Sequence, residues 1–288
     1  MFGIRRIKQW RSDLRFKAIL KRASRAVAAF PINTSKKPHG LGAPLIITLT
    51  SYPARFSTLA LTLRSLLDQT IEADKTILWI AHADIPLLPR EVISLKEYGL
   101  EIFACPDTRS YKKLIPALKK FPNSYLITAD DDVYYESDWL RSFIDVVNPF
   151  MPSVISLRAH MAPLDNKGLF IPYDQWQHET LAKQDYGANA IIFPTGIGGV
   201  LYPPNAFGSE VFDEESFMEI CPHGDDIWFF WMAKRNGTAH SNIGVKFQQI
   251  PWPRTQDIAL WNENMVHGRN DSQIRGMESR YGPISIMK

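Results

Sequence analysis

Tyr125-Leu126-Ile127-Thr128-Ala129-Asp130-Asp131-Asp132 is the stretch on which the reading of this chain turns. Its first five residues form a short β-branched and aromatic run, the pattern of a buried strand. Three adjacent carboxylates then crowd like charges at the strand's end, and solvent, a raised pKa or a cation has to relieve them. Hard divalent cations favour carboxylate oxygens and commonly bridge them to substrate phosphates. In open α/β sheets the carboxyl ends of strands are where ligands bind. One Asp there would read as a turn or a helix cap. Three in a row favour a metal.

Strands and helices alternate around this stretch. Residues 45–50 and 76–80 read as strands, and Leu59, Leu63, Leu66 and Leu67 give residues 56–69 a helical period. Residues 89–98 read as a helix ended by Gly99, residues 100–103 as a third strand, and residues 111–120 as the helix before the acids. This spacing implies a mostly parallel sheet with helices on both faces. After about residue 150 the period fades. Ala190–Phe193 leads into Thr195-Gly196-Ile197-Gly198-Gly199, and residues 227–234 read as a helix closed by Gly237. The first half reads as a nucleotide-binding sheet and the second as a region that shapes another substrate, both on one core.

The chain has 288 residues, 45% of them apolar, enough for one large domain or two small ones. Cys105 and Cys221 stand far apart, which fits free thiols in a reducing compartment. No uninterrupted apolar run reaches about 18 residues, so a cytoplasmic protein is expected. The net charge of +3 hides an asymmetry: residues 1–37 hold 11 Lys/Arg and one acid, leaving 22 bases against 29 acids in the rest. Residues 1–42 therefore read as a basic segment and a Pro/Gly-rich linker, ahead of a domain at 43–288. Ile4, Ile7, Trp10, Leu14 and Ala18 make an apolar stripe at helical spacing, with Arg5, Arg6, Lys8, Ser12, Asp13 and Lys17 mostly on the other side. That pattern suits an interfacial helix, and equally a solvated one or one packed on its own domain. The acidic body argues against nucleic acid and favours an anionic membrane surface, met through residues 1–30, as the partner of the basic end.

Several motifs, in order, resemble the GT-A nucleotide-sugar glycosyltransferases, especially the family-2-like bacterial enzymes of surface polysaccharide assembly. The resemblance covers residues 43–275. It rests on Thr50-Ser51-Tyr52-Pro53-Ala54-Arg55 after the first strand, Asp130-Asp131-Asp132 in place of the Asp-x-Asp motif, and the glycine loop 196–199. It also rests on Gly224-Asp225-Asp226-Ile227-Trp228 and on His267 near the carboxyl end. It implies a GT-A fold: a single Rossmann-like, mostly parallel mixed sheet flanked by helices, with an acceptor-side second half.

The resemblance further implies a metal-dependent, inverting hexosyl transfer from a UDP-sugar to a glycan or lipid-linked acceptor, and the basic end would set it peripherally at the inner face of the membrane. A Mn²⁺ or Mg²⁺ ion would stabilise the leaving diphosphate, and a carboxylate would take the acceptor's proton. By position in the family, Asp132 is the direct metal ligand, Asp130 meets the ribose or a metal-bound water, and His267 completes the metal shell. Asp131 has the least determined role. Asp226 is the base, with Asp225 as helper or alternate, although both also suit a helix start. Thr50, Tyr52 and Arg55 face the nucleotide, Tyr52 equally suiting a packing residue before the Pro53 turn, and Arg109, Lys112 or Lys113 offset diphosphate charge or are ordinary solvated bases. Trp176, Trp228, Trp231, Trp252 and Trp261 either stack on sugars or fill the core. Two other readings are a sugar-phosphate nucleotidyltransferase and a non-catalytic membrane-surface protein. The first usually needs a glycine-bearing loop after the first strand, and residues 50–55 have none. The second leaves both acidic clusters unexplained.

Overall fold

The structure, a computed structural model, describes residues 2–185, 190–253, 255 and 268–284, with side chains from residue 14 onward. The strands are β1 (Leu45–Thr50), β2 (Lys75–Ala81), β3 (Leu100–Cys105), β4 (Tyr125–Thr128), β5 (Ser153–Ser156), β6 (Ala159–Pro163), β7 (Ala190–Pro194), β8 (Val200–Tyr202) and β9 (Ala239–Asn242). The helices are α1 (Phe2–Ala28), α2 (Phe56–Leu67), α3 (Arg90–Ile93), α4 (Ile115–Lys120), α5 (Trp139–Ile144), α6 (Glu214–Ile220), α7 (Asp225–Arg235) and α8 (Arg269–Tyr281).

Seven strands make one sheet in the order β3-β2-β1-β4-β8-β5-β9, and β6 pairs with β7 beside it. The β1–β2, β2–β3, β1–β4 and β5–β9 pairs are parallel, while β8 runs antiparallel to β4 and β5. This is the mostly parallel, mixed, helix-flanked sheet that the GT-A resemblance implies. Its strands are apolar on both faces because both faces are covered. Leu45, Ile47 and Leu49 pack with Leu59, Leu63 and Leu66 of α2 on one side. Ile46, Trp79 and Leu126 pack on the other with the aromatic run of α7, so the two halves of the chain share a core. Trp228, Phe229, Phe230 and Trp231 are all buried, and α7 is therefore apolar nearly all round, as an internal helix is. Trp176 and Trp252 are buried as well, so these four tryptophans fill the core rather than face a sugar. Trp261 lies outside the described residues.

Local differences from the sequence reading have local causes. The segment expected as a helix over 111–120 is a 3₁₀ turn, Arg109–Lys113, followed by the short α4. Pro116 sits in the first turn of α4, where its missing N–H is harmless, and it prevents a longer helix through that point. Residues 90–98 likewise pass from α3 into a 3₁₀ turn before Gly99, which takes the left-handed cap at φ +94°. The Pro/Gly-rich segment is fixed to the body: the Ile32 and Asn33 N–H groups donate to Asp68 Oδ1 at 2.9 and 2.8 Å. Among the described residues no helix is long and apolar enough to cross a membrane.

Candidate active site

β1 and β4 are parallel neighbours, in register from Leu45↔Tyr125 to Thr48↔Thr128. After β1 the chain moves to β2 and β3 on one side, while β4 is followed by β8 and β5 on the other. The carboxyl ends of β1 and β4 thus flank a topological switch point, where a crevice opens in open α/β sheets. A cleft of about 890 Å³ opens there. It gathers Thr50, Ser51, Tyr52 and Arg55 at and after the end of β1, Asp130–Asp132 after β4, Arg109, Ser110, Lys112 and Lys113, Gly196, and Asp225 and Asp226.

The three acids diverge. The Ser51 hydroxyl donates to Asp131 Oδ2 at 2.5 Å, Arg55 pairs with Asp132 Oδ2 at 2.5 Å, and the Gly198 N–H donates to Asp130 Oδ2 at 3.4 Å. Burial pushes Asp130 up to about 7 against the pull of Lys113, with the charges of Asp132 and Asp131 adding to the rise. Burial also pushes Asp131 up to about 6, partly offset by the Ser51 hydroxyl. The backbone beneath them is fixed from two sides: Thr62 of α2 donates to the carbonyls of Asp131 and Val133, and the Trp252 N–H donates to the Asp132 carbonyl at 2.9 Å.

The opposite wall is the start of α7. Asp225 and Asp226 occupy its first turn, where the helix dipole favours acids. Lys113 Nζ lies 2.7 Å from Asp225 Oδ2, and both side chains are largely buried. Burial alone would discharge Lys113, but Asp225, Asp130 and Asp226 hold it above its ordinary value. Asp226 accepts the Ile227 N–H at 3.0 Å, and burial together with the charge of Asp225 pushes it up to about 6. The glycine loop makes this closeness possible. A Cβ on Gly196 would sit 3.2 Å from Lys113 Nζ. Gly199, at φ +105°, would put a Cβ 2.8 Å from Trp139 and 2.9 Å from the Thr128 carbonyl. The glycines therefore make a tight turn over β4 and leave room for Lys113.

Among the described residues, the cleft cations are engaged. Lys112 is buried and its Nζ donates to Asp107 Oδ1 at 2.5 Å. Arg109, in the left-handed region at φ +55°, reaches across to the Pro222 carbonyl at 3.0 Å. Thr50 lines the cleft but donates its hydroxyl to the Trp79 carbonyl. Tyr52 stands at the rim, its hydroxyl accepting from Arg55 Nε at 3.4 Å. Sequence reasoning missed Ser51 as the partner of Asp131, and it missed Arg158, which lines the cleft and pairs with Glu179 at 3.2 Å. It also missed Gln273 of α8, which accepts the His223 N–H and packs where a Cβ on Gly224 would go. Ser51 lies inside the quoted motif and was within reach of inspection. Arg158 and Gln273 carry no local signal.

His267 lies outside the described residues. Among those described, no three His, Cys, Asp or Glu side chains group as ligands for a metal ion. The donor chemistry at the triplet still suits one. Asp130 and Asp131 offer hard carboxylate oxygens to the same cleft, and both are raised by burial and by neighbouring negative charge, which a divalent cation would offset. Asp132 would join them by exchanging its Arg55 partner.

No protein-family model matches the chain, and no curated protein matches it in sequence. Among solved structures, it is similar to S. aureus TarS 1–349 in complex with UDP-GlcNAc, with 15% identity, 72% of this chain and 57% of that one covered, and a TM-score of 0.48. TarS 1–349 alone and in complex with UDP each give 14% identity, 72% and 59% coverage, and a TM-score of 0.46. The match thus spans less than two thirds of those chains.

Proposed function

We propose that the protein is a glycosyltransferase that moves a sugar from a UDP-sugar to a glycan or lipid-linked acceptor in surface polysaccharide synthesis, with inversion at the anomeric carbon. The observation that carries this reading is the pairing, across one switch-point cleft, of the Asp130–Asp131 carboxylates with the half-buried Asp226. Two acidic walls with Lys113 between them suit a donor on one side and an acceptor hydroxyl on the other.

Asp226 takes the acceptor proton. At about 6 its pKa lies near working pH, where a base is both ionised and strong enough to act. Lys113 and the α7 dipole hold the ionised form, and Asp225 keeps it basic. Attack from the Asp226 wall on a donor held at the Asp130 wall displaces the diphosphate from the far face, which inverts the centre. Arg109 and Lys112 meet the diphosphate, Lys112 by turning from the exposed Asp107. Asp130 and Asp131, with Asp132, would hold Mn²⁺ or Mg²⁺, which supplies Lewis-acid stabilisation of the leaving group when bound.

The test is UDP release from a panel of UDP-sugars, with and without Mn²⁺, by the native chain and by Asp226→Asn. Acceptor-dependent release should fall by about 10²–10⁴-fold in the variant. In the native chain it should decline as pH falls through about 6, because the base is protonated. Full activity in Asp226→Asn, or nucleotide binding without any transfer across the panel, would overturn the reading.

A further inference from the structure

By helical position, the two halves of α1 carry their apolar residues on opposite sides of the helix. In its second half, Ala23 and Val27 are buried against Ile250 and Trp252, with Ile19 and Leu20 beside them. These positions define the face that packs on the body. At 3.6 residues per turn, Ile4, Ile7, Trp10, Leu14 and Ala18 fall about half a turn away from it. Where the side chains are described this is borne out: Leu14 is 46% exposed and Ala18 is exposed. Leu14 and Ala18 therefore face away from the body, and by helical position Ile4, Ile7 and Trp10 fall on the same side of α1.

The direction of α1 gives the stripe an address. Ala26 and Val27 border a crevice with Arg64, Ser65 and Asp68 at the end of α2, and Ile19, Leu20 and Ala23 share a cluster with Leu61. So α1 runs parallel to α2, which starts at the cleft beside Arg55. Counting back along α2, roughly the first dozen residues of α1, about 20 Å at 1.5 Å per residue, run past the start of α2. They project on the cleft's end of the sheet.

Charge identifies the occupant. By helical position, Lys8 and Arg15 flank the stripe on one side and Arg6 and Lys17 on the other. An apolar stripe holding Trp and bordered by bases on both sides fits an anionic bilayer, with the stripe in the acyl boundary and the bases at the headgroups. Nucleic acid would need the bases and not the stripe. We propose that residues 2–18 dock the protein on an anionic lipid surface through the body-distal face of α1, with the mouth of the cleft turned toward that surface. A lipid-linked acceptor would then reach Asp226 without leaving the membrane. That last consequence rests on the glycosyltransferase reading, whereas the docking does not.

The experiment measures vesicle co-sedimentation of the full chain. Binding to phosphatidylcholine vesicles containing phosphatidylglycerol, and not to phosphatidylcholine alone, is expected. Leu14→Asp/Ala18→Asp should weaken it by at least about tenfold, since two apolar contacts are replaced by repelled charges. Leu87→Asp/Ile93→Asp, the same change at exposed positions on the body, should leave it intact. Orientation is read by energy transfer to a lipid-borne dye. Cys105 and Cys221 are buried, so a label goes to an introduced thiol. Gln248→Cys stands between the cleft residues Phe247 and Gln249. Phe150→Cys, 93% exposed, lies in the loop entering β5, at the other end of the sheet. Stronger transfer from Gln248→Cys is expected. Equal vesicle binding by Leu14→Asp/Ala18→Asp, tighter binding to an oligonucleotide than to vesicles, or stronger transfer from Phe150→Cys would overturn the proposal. None of these readouts uses sugar transfer, so failure of the docking and failure of the proposed activity are told apart.

Discussion

Asp130 carries a negative charge into a place where burial opposes it. Its carboxyl is pushed up to about 7, far above the ordinary value near 4. Between those two values the folded chain holds a proton that the unfolded chain has lost, so Asp130 destabilises the fold most when pH is above 7. Asp130→Asn should therefore raise the melting temperature at pH 8, and the difference should close as pH falls toward 4. A variant less stable than the native chain at pH 8 would contradict this account. The same substitution removes a proposed metal ligand, so a gain in stability is expected alongside a loss of transfer. Asp132 is different: Arg55 balances it directly. Three consecutive acids in the sequence are thus three separate environments, because successive residues leaving a strand point in different directions. The sequence could mark the triplet, but only packing distinguishes its members.

At the scale of elements, the acid loop is held between α2 and the segment around Trp252. Thr62 is the joint. Its hydroxyl contacts the carbonyls of Asp131 and Val133 and accepts the Trp252 indole N–H at 3.0 Å. Thr62→Val keeps the shape and strands these buried groups, which should cost about 1–3 kcal/mol in urea unfolding. Amide exchange should quicken over residues 129–135, and unchanged exchange there would remove Thr62 from this role. Trp252 also packs on Ala23 and Val27, so α1 is braced against the support of the acid loop. Elements with an unbroken period were legible in the sequence, as α2 and β1 show. The turn at 109–113 was not, because its 3₁₀ geometry answers to Pro116 and to contacts made across the cleft.

Across the whole molecule, two buried histidines work against stability in acid. Burial pushes His160 down to about 3, with Arg158 and His178 adding to the fall, and it pushes His240 well below the ordinary value, with Lys234 adding. The titrating groups stay neutral when folded and take up protons when unfolded, so they remove stability as pH falls below about 6.5. The raised carboxylates of the cleft act in the opposite sense. The informative quantity is therefore the difference between the native chain and His240→Leu, which should lose less stability between pH 7 and 5 in urea titrations. Identical slopes would exclude His240 from that dependence. By itself, the sequence determined the alternating α/β order, the buried strand before Asp130, the acid-rich helix start at Asp225 and the separation of a basic end from an acidic body. Those follow from period, turn chemistry and charge, which are local. Only the tertiary structure decided that Lys113 sits between the two acid clusters, that Arg55 holds Asp132, that four of the tryptophans are core, and that α1 turns Leu14 and Ala18 outward. Each of these depends on residues far apart in the chain meeting at one end of the sheet, and strand order, which no local pattern encodes, brings them together.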